Sequence, residues 1–364
     1  METTSSRIAA AKMKVAVFQD YARSFADDGK DADAASVFFE LANAELIGYR
    51  IDNKSSSANE DDAMVIIKQH SDAMTHTGGI IWETSYCLAS FLSLKFGGNF
   101  DRNNVDEHHK YPLGKTLEIG AGCGMLGLIL ATTKLSSRVV MTEAAEVMDI
   151  LNENVNQNVA KFKTQTTDNN ESDSDDVKGV YGTNHNPACP RECVSVRRLR
   201  WDCLEEDVPA ASMTQENDLQ PNSFDTIVGT DVVFSPSLVC PLLETIQLMA
   251  RKKEVESTKA TRIYLCLQIR CADSHSLLFS EAHKYGLEVI DASEELAAFC
   301  PWAVELECLL LKINIKEETT KQRKKRKKAS NEKKSKKKPS KVKKGKANEK
   351  KSKKSSKRRK IDSL

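Results

Sequence analysis

The segment LEIGAGCGMLGL, residues 117–128, sets Gly120, Gly122, Gly124 and Gly127 into an otherwise apolar run. A glycine inside a helix costs about 1 kcal/mol relative to alanine, so a core segment does not carry several without a use for them. The residues before it, KTLEIG, have a strand pattern, and MLGLILA after it has that of an apolar helix. The glycines therefore fall on a strand-to-helix turn. There glycine permits positive φ and lets the backbone approach a bound group closely. The N–H groups at the following helix start favour an anionic part of that group. Such a turn reads as a nucleotide-type cradle at the carboxyl edge of a parallel sheet.

The flanking sequence agrees with a parallel sheet. Strand patterns at 138–143, 195–201, 224–234, 262–270, 287–292 and 303–313 are interleaved with helical ones at 125–134, 146–159, 237–253 and 274–286. Alternation of this kind predicts an α/β fold with helices on both faces. Upstream, 10–27, 33–48 and 84–96 have helical spacing, and LIGYRI (46–51) with AMVIIKQH (63–70) reads as a small hairpin. The expected organisation is an N-terminal helical extension over 1–44, a main domain over 45–316 and a tail over 317–364.

Charge separates the tail from the rest. Residues 321–364 hold 24 Lys and Arg against 3 acids, leaving 30 bases and 49 acids for residues 1–320. A segment so poor in apolar residues cannot offset its ordering entropy, so the tail is expected to be disordered. The acidic stretch TQTTDNNESDSDD (164–176), within an insert to about 180, and the polar 205–222 are expected to be solvated loops. The clusters KKRKK (324–328) and SKRRK (356–360) read as nuclear or nucleolar import signals, with a cytoplasmic location as the alternative. The tail has no interleaved aromatics, so any nucleic-acid contact through it would be phosphate-driven and salt-sensitive; a solubility tail is the plainer reading.

Apolar residues make up 40% of the chain, enough for a sizeable core. No apolar run reaches membrane-spanning length, and the first residues lack a signal-peptide pattern, so no membrane association is expected. The ten cysteines follow no regular framework, which favours reduced thiols. His185, Cys189 and Cys193 invite a zinc reading, but a second Cys-x-x-Cys is missing and no metal is expected.

The ligand class stays open at this level. Gly122-x-Gly124-x-x-Gly127 satisfies the dinucleotide pattern, and Glu143 ends the next strand, where an acid binds ribose hydroxyls in several nucleotide-binding classes. A nicotinamide cofactor and S-adenosylmethionine both fit these two features.

TLEIGAGCGMLGL resembles motif I of the seven-strand S-adenosylmethionine-dependent methyltransferases. Further segments resemble one subgroup, the small protein methyltransferases of family 16, which modify lysines on chaperones, an AAA ATPase and elongation factors. They are TGGIIWETSYCLASFL (77–92), RVVMTEAAEVMDILNENVNQN (138–158), LRWD (199–202) and FDTIVGTDVVFSPSLVCPLLETI (224–246), with Arg270 followed by Phe279. The resemblance spans roughly residues 45–315. It implies a Rossmann-like, mostly parallel seven-stranded sheet, S-adenosyl-L-methionine as cofactor, and a monomeric enzyme methylating a protein side chain, most simply a lysine.

The resemblance also assigns roles. Gly120, Gly122 and Gly124 let the backbone approach the methionine part of the cofactor, and Glu118 lies beneath to orient it, unless that acid merely caps the turn. Glu143 accepts both ribose hydroxyls. Trp82 walls the sulfonium, with plain core packing as its alternative, and Trp201 and Asp202 meet the adenine. Asp231 faces the target amine. The family's Asp-x-x-Tyr motif reads Asp231-Val-Val-Phe234 here, which keeps the ring and loses the hydroxyl. Arg270 is an ion-pair partner or a catalytic group, both readings standing. A catalytically inactive member tethering nucleic acid is the competing function; a nicotinamide-dependent dehydrogenase is the third, since nothing after residue 150 resembles a hydride-transfer site.

Overall fold

A computed structural model describes residues 15–22, 34–51, 64–70, 77–97, 111–160, 189–208, 218–251 and 260–316. The tail, the acidic insert, His185, and residues 209–217 of the polar stretch lie outside the described residues.

The main sheet is built from β4 (Gly114–Ile119), β5 (Ser136–Glu143), β8 (Val194–Arg198), β9 (Thr226–Thr230), β10 (Arg262–Leu267), β11 (Leu287–Asp291) and β12 (Leu309–Ile315). Their lateral order is β11-β12-β10-β9-β4-β5-β8, while β6 (Val159–Ala160) and β7 (Cys189–Pro190) form a separate pair and Leu204–Asp207 is the short helix α6. Neighbours from β8 to β10 pair in parallel, whereas β12 runs antiparallel between β10 and β11. This is the mostly parallel seven-stranded sheet that the resemblance implies. From β4 the chain moves outward through β5 and β8, then returns to the other side of β4 as β9. That reversal opens a crevice at the carboxyl ends of β4 and β9, where open α/β sheets bind ligands.

Each face of the sheet is covered because its strands are apolar on both sides. One core packs α3 (Glu83–Gly97), α4 (Met125–Thr132) and α5 (Met148–Asn158) on the sheet, with Leu88, Leu92, Leu128 and Val139 fully buried. The other packs α7 (Pro236–Met249) and α8 (Ala272–Ala282), with Ile119, Ile227, Leu242 and Leu278 fully buried.

A smaller sheet precedes these elements, in the order β1 (Val15–Val17), β2 (Leu46–Arg50) and β3 (Met64–Lys68). The expected hairpin is present, as β2 and β3 are antiparallel. The helix expected over 10–27 is corrected within the described residues 15–22: Val15–Val17 is a strand parallel to β2, and Phe18–Ala22 (α1) is helical. The valines fit a pleated edge better than a helix, and β2 offers them an open side. The helix expected within 33–48 is α2, Ala34–Asn43. At the other end, the strand expected from 303 begins at Leu309. Trp302–Glu305 instead forms the short helix α10, following α9 (Ser293–Phe299), and Glu307 turns the chain at φ +52°.

Two asparagines join the small sheet to the main domain. β3 is an edge strand, so its outward N–H and C=O groups need partners. The Asn158 amide accepts from the Ile66 N–H at 2.9 Å and donates to the Ile66 carbonyl at 2.7 Å. Asn154, one helical turn earlier, does the same for Lys68 at 2.9 and 3.1 Å, and also donates to the Cys123 carbonyl at 3.0 Å. The four-residue spacing on α5 thus matches the two-residue spacing on β3, and Asn154 ties both to the glycine turn.

Candidate active site

The glycine turn forms the floor of a cleft of about 770 Å³ at the switch point. That size suits a cofactor-sized ligand. Gly120 (φ +65°) and Gly122 (φ +53°) hold left-handed backbone conformations. A Cβ on Gly120 would stand 2.9 Å from Val232 and 3.4 Å from the Trp201 ring, and one on Gly122 3.2 Å from the Gly78 carbonyl oxygen. Their lack of a side chain therefore lets three segments close around the turn. Gly124 is the N-cap of α4, with no side-chain cap bond, and it lines the cleft with Met125. The helix start accordingly faces the cleft with its N–H dipoles.

Glu143, at the end of β5, points into the same space. Its Oε2 accepts from the Gly122 N–H and its Oε1 from the Ala144 N–H, both at 2.8 Å. Burial raises its carboxyl above the usual range, and the two backbone donors oppose that shift. Each oxygen keeps a lone pair for a further donor, so the group can meet a diol. Trp201 and Asp202 lie not on β8 but in a 3-10 turn, Trp201–Cys203, just past it, and both line the cleft. The Asp207 carboxylate steadies that turn by accepting from the Arg200 N–H at 2.8 Å and from Arg198.

Trp82 lines the opposite wall, and its indole N–H donates to the Thr77 carbonyl at 3.0 Å. The Arg270 guanidinium stacks on it, 4.6 Å from the ring centroid. Arg270 Nη2 also lies 2.9 Å from Asp231 Oδ2 and 3.1 Å from Glu83 Oε2. Asp231 follows β9 with φ +50°, a conformation costing about 1–3 kcal/mol in a non-glycine residue. It is held there by its N–H to the Cys266 carbonyl and by the Gln268 N–H to its Oδ1, each 2.9 Å. Burial raises the Asp231 carboxyl, opposed by Gln268 and Arg270. Phe234 is about half exposed on the rim.

Glu118 is absent from the cleft lining, because alternation along β4 turns its side chain under α4. There a side chain on Gly127 would collide with its carboxyl. Oε2 is buried without a partner, and burial pushes the carboxyl up to about 8, the Gly127 N–H pulling back. The folded chain therefore keeps this proton well above the ordinary value of 4.5, while the unfolded chain loses it there. Stability from this group is complete below that lower value and falls as pH rises toward about 8. Glu118→Gln, uncharged throughout, should lack this slope. Thermal melts of both proteins should show the variant gaining on the parent by a few degrees between pH 5 and pH 8; parallel pH profiles would contradict the assignment.

The structure brings together Trp82, Gly120, Gly122, Gly124, Glu143, Trp201, Asp202, Asp231, Phe234 and Arg270. It adds residues the sequence did not single out. Glu83 and Gln268 hold Arg270 and Asp231, and Ser85 Oγ meets Thr230 Oγ1 at 3.0 Å within the cleft. Glu83 could have been noticed beside Trp82, whereas the Ser85–Thr230 pair, 145 positions apart, follows no local spacing. Among the described residues there is no cluster of potential metal ligands, and no helix is long and apolar enough to cross a membrane. Cys193 sits half-buried in a 3-10 turn away from the cleft.

The protein-family model described as "Lysine methyltransferase" matches residues 59–171, which include the Trp82 wall, the glycine turn and Glu143. Solved structures give distant likenesses. A Galdieria sulphuraria structure described as a sarcosine dimethylglycine methyltransferase is 12% identical, covering 63% of this chain and 82% of its own, with a TM-score of 0.33. The S-adenosylmethionine-dependent methyltransferase SibL is 10% identical, covering 65% and 56%, at 0.35. A precorrin-6y C5,15-methyltransferase from Geobacter metallireducens is 11% identical, covering 62% and 78%, at 0.31.

Proposed function

We propose that the chain is an S-adenosylmethionine-dependent methyltransferase of the lysine methyltransferase family, whose model matches residues 59–171, and that it methylates a lysine side chain of a protein. The observation that carries this reading is a carboxylate, Asp231, fixed in the cleft at the end of the strand beside β4 and next to a resident cation.

The cleft fits S-adenosylmethionine. The bare glycine turn admits a ligand against the backbone, the two Glu143 oxygens suit a ribose diol, and the Trp201 ring offers a flat face for a base. Trp82 supplies a π surface suited to a sulfonium. When bound, the cofactor provides an activated methyl group for in-line displacement.

The remaining work falls to the chain. A lysine amine has an unperturbed pKa near 10.4 and must lose its proton before it can attack. Asp231 draws the ammonium to the cleft, and partial burial beside Arg270 favours release of the proton to water. Phe234 and Trp82 narrow the rim, so the neutral amine is held in line, and alignment rather than acid catalysis provides the rate. The loss of the motif's hydroxyl at Phe234 leaves an apolar wall, sufficient for a stem of methylenes. The basic clusters of the tail support a nuclear location and a nuclear protein as substrate.

Incubation of the full chain with nuclear extract and tritiated S-adenosylmethionine, followed by acid hydrolysis of the labelled protein, tests the reading. Labelled methyllysine is the expected product. Labelled methylarginine or methylhistidine instead would overturn the choice of lysine.

A further inference from the structure

We propose that Arg270 holds the place of the substrate ammonium on Asp231 and, when the amine arrives, yields that carboxylate while remaining on Glu83 and Trp82. The proposal rests on the reading of the cleft as a lysine-methylating site.

The geometry carries it. Of the two Asp231 oxygens, Oδ1 accepts the Gln268 N–H and Oδ2 faces Arg270, so the carboxylate is already matched by a resident cation. Arg270 Nη2 meets Oδ2, and the same nitrogen reaches Glu83. The Arg270 side chain is 34% exposed and that of Asp231 only 7%, so the cation meets solvent more than the carboxylate it holds. An arriving ammonium competes with Arg270 for Oδ2 and for the single charge of the carboxylate.

Arg270 has somewhere to go. Glu83 and the Trp82 face are partners it already has, so leaving Asp231 does not strand a cation in solvent. The triad of Asp231, Glu83 and Arg270 carries two carboxylates and one cation, and the arriving ammonium supplies the second cation. Exchange thus replaces one shared guanidinium by one cation on each carboxylate. A compact ammonium suits the single-oxygen contact that Arg270 Nη2 now makes.

The test uses the full chain saturated with S-adenosylhomocysteine, whose binding is first checked by calorimetry, and Nα-acetyl-lysine methylamide as ammonium probe, its affinity read by NMR titration. Arg270→Gln should bind the probe roughly tenfold more tightly, since the competing resident state is removed. Glu83→Gln should bind it more weakly, because Arg270 then has less to hold when it leaves. In the Arg270→Gln background, Glu83→Gln should have almost no further effect, since Glu83 acts through Arg270. A merely structural role for Arg270 would weaken binding in both single variants, and a simple field effect would leave Glu83→Gln weakening the double variant; either result overturns the exchange. If Arg270→Gln does not fold, Glu83→Gln decides, and probe binding equal to or tighter than the parent's counts against the proposal. Failure of the parent to bind S-adenosylhomocysteine would instead strike at the methyltransferase reading itself.

Discussion

Glu143→Ala raises the dissociation constant for S-adenosylmethionine by about 100-fold or more. The wild-type carboxylate accepts the Gly122 and Ala144 N–H groups at 2.8 Å and is partly buried. Hydrogen bonds to a charged group contribute about 1.5–3 kcal/mol each, and losing two toward the ribose corresponds to at least two decades of affinity. The alanine also leaves the Gly122 N–H without its acceptor, so the turn relaxes at the place where the ligand meets the backbone. Titration calorimetry reads the result, with a cooperative thermal transition as the control for folding. An affinity within threefold of the parent would remove Glu143 from the cofactor site.

Asp231→Asn gives the complementary result, with methyl transfer into protein falling by about 10²–10³-fold, the usual scale for removing one electrostatic group at a reacting centre. Cofactor affinity should stay nearly constant, because the Gly122 and Glu143 end of the cleft is untouched. The substitution preserves shape and one acceptor for the Gln268 N–H, but it removes the charge that meets Arg270 and the incoming ammonium. Tritium incorporation and calorimetry on the same preparations separate the two effects. Full activity in this variant would exclude Asp231 as the group that receives the amine.

The architecture was legible where chain order and local chemistry coincide. Alternating strands and helices, the glycines after β4 and an acid at the end of β5 are all short-range patterns, and each corresponds to an observed element or position. What stayed hidden depends on neighbours distant in the chain. Val15–Val17 has helical spacing, but an open edge on β2 recruits it as a strand. The run from Ala303 looked extended because its apolar residues are consecutive, whereas the turn at Glu307 lets a short helix precede β12.

The site divides in the same way. Glu143 could be placed because it lies one strand beyond the turn. Glu118 could not be aimed, since the side of β4 from which it projects is set by packing against Gly127 and Met141. Arg270 could be located at the carboxyl end of its strand, but not its three partners Trp82, Glu83 and Asp231, drawn from α3, the residue before it and the end of β9. Nor does sequence spacing reveal that asparagines on α5 stand in for a missing strand beside β3.

Titration calorimetry of the full chain with S-adenosylmethionine, S-adenosylhomocysteine and NAD tests the central claim most directly. The account predicts saturable one-to-one binding of the first two and none of NAD. Binding of NAD, or of neither sulfur compound, would contradict it.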